Sequence, residues 1–524
     1  MSRLPRLAAL ALAASLASAC PERRETPVPP GRRPPQAALA TVAASDGPDV
    51  LSLPRPDGPE FFGLYLLGKK AGWSRIELVR EQRGNHAVMV ERSEMTMSAT
   101  VGGRPVERTI REERVYEARP AGSLVSFRSE WSGDGGERKV VGTCAAAACK
   151  FDEIAPTGVQ HRTIDGVTET LEQADSVRLA AARRSSVRGR ELDLDKMRVR
   201  EVETTFRKRD VIAGGGVQTP VSVVTVWRQE VSERIVEEYR VADDGRLLEL
   251  RMGEALVMRP VTEASAKQLD KIDLFAMARV PLPRALPRDV PASITYRMTG
   301  LPASFQTPDA RQRFVPAGAG EVLLTVSARN PAAMDPARDT PLARAREGAD
   351  PDDLAPTPQA DFDDPAVAKL AREVAGDAKG TYAAALRLSD EVYKRLVKSY
   401  GTSHDRASDV LRAGNGDCTE HSILLVAMAR AVGIPARPVH GVVYARYADG
   451  VDALYWHAWV EVRSGGEWIS VDPTFGQPVA DATHVLLGRG LQQDAVGLLG
   501  TLAVKSVEVS RPASGSTAAK ENRK

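Results

Sequence analysis

The sequence predicts an α+β protein in which antiparallel β-rich domains precede a C-terminal module of helices and a β-hairpin. Three observations carry this. Short alternating runs separated by Gly-rich turns dominate the chain to about residue 255. Apolar residues at helical spacing gather beyond residue 361. The 524 residues, 43% of them apolar, suffice for two or three domains with ordinary cores. A net charge of +2 spread along the chain gives no electrostatic reason to expect nucleic acid as a partner. Arg183-Arg184 and Arg207-Lys208-Arg209 read as solvated surface.

At the N-terminus, Arg3 and Arg6 precede an apolar stretch from Leu7 to Leu16 that is too short to cross a bilayer, and small residues follow up to Cys20. Residues 1–19 therefore read as an export signal peptide. Leu16-Ala17-Ser18-Ala19-Cys20 resembles a bacterial lipobox, which implies cleavage before Cys20 and lipidation of that residue. Ala17-Ser18-Ala19 also fits an ordinary Ala-x-Ala cleavage site at the same bond. The first outcome is a protein held to a membrane of the bacterial cell envelope, facing the periplasm or cell surface. The second is a soluble periplasmic or secreted protein. Residues 20–59, with Pro-Pro pairs and few large apolar side chains, read as an extended tether.

Residues 60–255 are expected to form an antiparallel β-rich domain. Phe62 to Leu67, a turn at Gly68-Lys69-Lys70-Ala71-Gly72, and Trp73 to Val79 make a hairpin. Alternation recurs at Val88 to Met97, Leu124 to Trp131, Val221 to Val231, Ile235 to Val241 and Leu247 to Met252, with a helix at Leu171 to Arg183. Cys144 and Cys149 lie close enough in sequence for a local disulfide in an oxidising compartment, the alternative being two reduced thiols. Residues 256–345 read as a small β module with strands at Ile294 to Met298 and Val322 to Ala328, because Pro281 to Pro291 is too proline-rich for a central strand. Residues 346–360 are expected as a linker.

Residues 361–509 carry the chemistry. Asp364-Pro365 pairs an N-cap with proline at the first helical position, ahead of an apolar stripe at Val367, Leu370, Ala371, Val374 and Ala375. Tyr382, Ala385, Leu386, Tyr393 and Leu396 form a second stripe, and residues 510–524 read as a disordered tail. Leu424, Ala427, Met428, Ala431 and Val432 mark one apolar face of a further helix. Asp417 is its natural N-cap, Glu420 completes a capping box, and Gly433 with Pro435 stops it. Cys418 then falls in the first turn. A thiol of ordinary pKa, about 8.5, is mostly protonated at neutral pH, and the positive end of a helix favours the anion.

The base is read from the hairpin that follows. Trp456 to Val462 alternates, Ser464-Gly465-Gly466 turns, and Trp468 to Asp472 alternates again. A turn centred on Ser464-Gly465 places His457 directly across from Asp472, with β-carbons roughly 5 Å apart. A centre at Gly465-Gly466 leaves them diagonal on one face, and an odd-length loop separates them. On either even register Asp472 can orient His457, and His457 can take the proton of Cys418. Zinc is the competing chemistry, through Cys418, His421, His440 and His457. Their spacing matches no common structural site, so no metal and no cofactor is expected. His421 is expected to pack on its helix.

These residues resemble the transglutaminase-like superfamily. The resemblance rests on Gly416-Asp417-Cys418-Thr419-Glu420-His421, Ala429 to Arg437, His457-Ala458-Trp459-Val460-Glu461-Val462 and Trp468 to Thr474, under a third of the chain. It implies a papain-related fold with Cys418 as nucleophile, His457 as base and Asp472 as orienter. The chain departs from the family in lacking an upstream Trp or Gln beside Cys418 as second oxyanion donor, which leaves the Cys418 N–H as the donor read here. The implied activity is attack on a peptide or glutamine-type amide through a thioester, resolved by water in preference to an amine. The alternative is a non-catalytic envelope scaffold that docks a partner through its β-rich region. Expected partners are a protein or peptide substrate and, through the lipid anchor, a membrane.

Overall fold

A computed structural model describes residues 47–510 apart from 102–103, 134–136, 156–157, 196, 215, 230–236, 254, 288–290, 358, 400–403, 405, 447–449 and 491–497. The expected signal peptide, Cys20, most of the expected tether and the expected C-terminal tail lie outside the described residues. The described chain divides into two compact units, residues 47–99 with 107–272, and residues 100–106 with 273–510. No helix of the described residues is long and apolar enough to cross a membrane.

The first unit is built on one fourteen-stranded sheet. Its strands are β1 (Glu60–Leu66), β2 (Lys69–Arg83), β3 (His86–Val101), β4 (Arg104–Glu117), β5 (Leu124–Gly133), β6 (Arg138–Ala145), β7 (Ala148–Ala155) and β8 (Gly158–Asp165), then β9 (Ser186–Asp193), β10 (Arg198–Gly214), β11 (Val217–Arg228), β12 (Glu237–Ala242), β13 (Leu247–Met252) and β14 (Leu256–Pro260). The order runs from β8 down to β1, then from β14 down to β9. The turn of the first hairpin is tighter than the sequence suggests, with only Leu67 and Gly68 outside the strands, both at positive φ. The remaining irregularity is a register shift at Leu64/Tyr65. Gly72 is a strand residue because β3 approaches closely: a β-carbon there would meet the Thr96 carbonyl oxygen at 2.4 Å.

Three expected boundaries move. The expected helix at Leu171 to Arg183 is two, α1 (Leu171–Ala174) and α2 (Ser176–Arg183), broken at Asp175. The Asp175 carboxylate accepts from Arg55 at 2.9 and 2.7 Å. That contact belongs to an ordered end of the tether, where Val50 is fully buried and Leu53 nearly so. The first unit also continues past residue 255, because β14 pairs with both β1 and β13 and so covers two sheet edges, and α3 (Glu263–Ala266) follows it. Cys144 and Cys149 face each other across β6 and β7 and are bonded, S–S 2.02 Å.

The second unit opens with α4 (Leu274–Ala278) and β15 (Val280–Pro281), followed by β16 (Ser293–Thr299), β17 (Gln312–Gly318) and β18 (Glu321–Ser327). The segment 256–345 is not a module by itself. Its strands make a four-stranded sheet, β17-β18-β16-β25, whose last member arrives from the far end of the chain. The expected linker 346–360 is packed as well: its borders Ala345 and Ala360 are buried, and Arg430 donates to the Ala355 carbonyl at 2.6 Å.

Four helices follow, α5 (Pro365–Ala375), α6 (Thr381–Arg395), α7 (Ala407–Ala413) and α8 (Cys418–Ala431), with the short parallel pair β19 (Val397–Lys398) and β20 (Asn415–Gly416) between them. The rest is β21 (Ala436–Arg446), β22 (Asp452–Ser464), β23 (Glu467–Val471), β24 (His484–Arg489) and β25 (Ala503–Ser510). The second sheet runs β15-β22-β21-β24, with β23 on β22. Val367, Ala371, Leu388, Val392, Leu424, Leu425 and Met428 pack with Val460, Val462, Ile469 and Val471, so one core joins the helices to one face of β22 and β23. Helix α8 is buried all round from Thr419 to Arg430, where its apolar pattern suggested a single buried face. It is the central helix, enclosed by α5, α6 and α7 as well as the sheet, so even its polar residues are covered.

Candidate active site

Asp417 caps α8 as the sequence requires. Its carboxylate accepts from the Thr419 N–H at 2.8 Å, and Glu420 accepts from the Asp417 N–H at 2.8 Å, which satisfies two end donors. Cys418 is the first helical residue and carries a free thiol. His421, one turn on, donates through Nδ1 to the Asp417 carbonyl at 2.6 Å. Burial pulls its pKa down to about 4, so it is a neutral packing residue.

The surroundings of the thiol differ from the simple expectation. Part of Cys418 remains accessible, but protein packs densely about it, and this desolvation is the main cause of a thiol pKa well above the ordinary value. The negative charge of Asp417 adds to the rise, and those of Glu420 and Asp472 act in the same direction. Opposing them is the Ala458 N–H, which lies against the sulfur and favours its anion. The helix terminus therefore does not make a thiolate by position alone. The capping carboxylate that starts the helix offsets the dipole it was expected to exploit. Glu420 is itself pushed well up by burial and by Asp417, and burial also raises Asp417.

The hairpin register resolves the second question. Val460 pairs with Val471 and Ser464 with Glu467, leaving Gly465-Gly466 as the turn, both at positive φ. His457 and Asp472 are therefore diagonal on one face. The side chains close the gap: His457 Nε2–H donates to Asp472 Oδ2 at 2.8 Å, which leaves Nδ1 as the lone-pair nitrogen. Asp472 Oδ1 accepts from the Thr474 and Phe475 N–H groups at 2.7 and 3.0 Å. The Phe475 ring stacks on the imidazole at 4.7 Å and 10°, covering it from solvent while itself 37% exposed.

A second imidazole, invisible to the sequence reading, reaches the same carboxylate. His484, fully buried on β24, is 3.0 Å from Asp472 Oδ2 through Nε2 and 3.2 Å from Asp481 Oδ1 through Nδ1. Both histidines sit on one face of the sheet, since His457 pairs with Gly441 and His484 with Val443 on β21. Burial would raise Asp472, but the charges and hydrogen bonds of His457 and His484 hold it well below the usual carboxylate range. The ligand-type atoms of His457, Asp472 and His484 lie within 4.8 Å of one another. The two contacts to Oδ2 have hydrogen-bond lengths and directions and account for the cluster. His440, weighed as a zinc ligand, lies on the opposite face from His457 and bonds through Nδ1 to the Gly490 carbonyl at 2.9 Å. No motif spacing signals His484, because it depends on β24 docking beside β21.

The site holds a free thiol at a helix start, an imidazole bonded to a buried carboxylate, and a backbone N–H against the sulfur. Helix α8 packs against β22, and the N–H of Ala458, the neighbour of His457, lies against the Cys418 sulfur, so the helix start and the hairpin adjoin.

Residues 368–473, which include Cys418, His457 and Asp472, match the family model of the transglutaminase-like superfamily. No curated protein matches the chain. Among solved structures, a candidate cysteine protease from Cytophaga hutchinsonii is 17% identical, covering 45% of this chain and 90% of that one at a TM-score of 0.28. The periplasmic domain of TgpA from Pseudomonas aeruginosa is 19% identical, covering 38% and 87% at 0.23. A β-barrel-like protein of a domain of unknown function from Brucella abortus is 11% identical, covering 41% and 96% at 0.28. Likenesses at these TM-scores assign no function.

Proposed function

We propose that the transglutaminase-like domain at residues 368–473 is a working thiol enzyme that cleaves peptide or glutamine-type amides through a Cys418 thioester. The observation that carries this reading is the 2.8 Å bond from His457 Nε2 to a buried, ionised Asp472, which keeps Nδ1 free to accept a proton. With the thiol held protonated at rest, His457 acts as a general base during attack. The sulfur–carbon bond forms as the thiol proton passes to Nδ1, and the Cys418 N–H donates to the developing oxyanion. Collapse breaks the carbon–nitrogen bond, and His457 returns the proton to the leaving amine. Water then attacks the thioester, giving up its proton to His457, and releases a carboxylate and the thiol.

In this reading the chain is exported and held at the bacterial cell envelope through a lipid on Cys20, with a protein or peptide substrate reached from the tether. Water is the preferred second nucleophile because it is in vast excess over any amine there. The test is alkylation of Cys418 by a thiol reagent across pH, in wild type and His457→Ala. Loss of neutral-pH reactivity in the variant, together with amide hydrolysis that Cys418→Ala abolishes, is the expected result. Equal reactivity in both proteins would sink the pairing, and full rescue of a deletion strain by Cys418→Ala would favour a scaffold.

A further inference from the structure

We propose that His484 is a positioning residue of this site: held as an imidazolium between Asp472 and Asp481, it locks Asp472 against His457 and offsets that carboxylate's charge. The inference deepens the acyl-transfer reading and rests on it for its consequence, but not for its geometry. Both ring nitrogens of His484 face carboxylate oxygens, at 3.0 and 3.2 Å. A neutral ring has one N–H and one lone pair, so one of those contacts would set a lone pair against an anion inside the protein. Protonation at both nitrogens removes the conflict.

Asp481 is equipped to remain an anion. Its Oδ1 accepts from the Thr483 N–H and hydroxyl at 2.9 and 2.5 Å, and its Oδ2 from Gln477 Nε2 at 3.1 Å. Asp472 likewise receives four donors, two on each oxygen. The other groups around His484 agree with a buried cation. From β22 come the His457 ring, 5.9 Å away, and the edge-on Trp459 ring at 5.3 Å; Phe475 adds an aromatic ring at 6.2 Å. Arg311 brings a further positive charge, donating to the Ala480, Asp481 and His484 carbonyls at 2.9, 3.0 and 3.5 Å while pairing with Asp309 at 3.6 Å. The bonds to Asp472 and Asp481 raise the pKa of His484 although burial opposes them, in accord with the geometry.

The cation sits 5.9 Å from the His457 ring and is bonded to the same carboxylate, so it offsets part of that carboxylate's charge where it faces the imidazole. Rigid placement comes from the same contacts: the Asp472 Oδ2 lone pairs are divided between two imidazoles, which leaves the carboxylate one orientation.

The test is nitrogen-15 NMR of the full chain labelled at its 7 histidines. His484, assigned by its disappearance in His484→Gln, is expected to show two protonated nitrogens at pH 7. A single-proton tautomer at pH 7 overturns the proposal, and this readout needs neither turnover nor a stable variant. A reactive Cys418 with a neutral His484 would defeat this inference alone, whereas an unreactive Cys418 beside a charged His484 would defeat the acyl-transfer reading alone.

Discussion

His457 and Asp472 are diagonal, not opposed, across the β22–β23 hairpin, and still meet at 2.8 Å. A two-glycine turn sets that offset, and the Asp472 side chain, gripped by the N–H groups of Thr474 and Phe475, leans along the strand to cross it. The pair therefore depends on the loop after β23 as much as on the strands.

Asp472→Asn is expected to lower kcat by about 10²–10⁴, the range that general acid–base catalysis supplies, because the amide no longer enforces the Nε2–H tautomer of His457. The same substitution tests a stability effect. The native carboxylate is held below its ordinary range, so its stabilising contribution is present above the unfolded value of about 3.9 and is lost as the pH falls further. Urea midpoints of wild type should decline below about pH 4, and more steeply than those of the variant.

Asp417→Asn should make Cys418 more reactive. Asn caps a helix about as well as Asp, so the fold is expected to lose less than about 1 kcal/mol. What disappears is a negative charge that holds the thiol up. Alkylation at pH 7 is expected to rise severalfold, with its midpoint moving to lower pH. An unmoved midpoint would show that desolvation alone sets the thiol.

Glu420→Gln addresses the other half of the capping box. Burial and Asp417 push the Glu420 carboxyl well up, so its contribution to stability is full below the unfolded value of about 4.3 and is lost as the pH rises through its native value. Gln is also accepted at this helix position. Thermal melts from pH 5 to 9 should therefore show the variant gaining on wild type as the pH rises, by about 1 kcal/mol or more at the alkaline end. A constant difference across that range would refute the assignment.

Cys20 can be tested apart from catalysis. Metabolic labelling with a palmitate analogue is expected to mark the wild-type chain and to be lost in Cys20→Ser, with the protein moving from the membrane to the soluble fraction. Labelling that survives the substitution would remove the anchor from the account.

The legible part of the molecule is local. Asp417 and Glu420 at capping-box spacing, Pro365 at a helix start, and alternation around His457 are written in the residues, because caps and periodicities act over one or two turns. They located α5, α6, α8 and the hairpin, and with them Cys418, His457 and Asp472, but not His484. The boundary at 255 and the module at 256–345 failed for the converse reason. Strands β14 and β25 are claimed by partners distant along the chain, and no local signal records which open edge a strand will cover.

The sequence by itself determined the candidate atoms: a thiol at a helix start, and an imidazole and a carboxylate on neighbouring strands of one hairpin whose register it left open. Tertiary structure decided the charges on them. Burial around Cys418 and the charge of Asp417 reverse the expectation of a ready-made thiolate, and the docking of β24 brings His484 to Asp472. The reason is physical: bonding patterns along a chain are short-ranged, whereas the energy of a charge depends on everything packed within several ångströms of it, and only the folded chain assembles that neighbourhood.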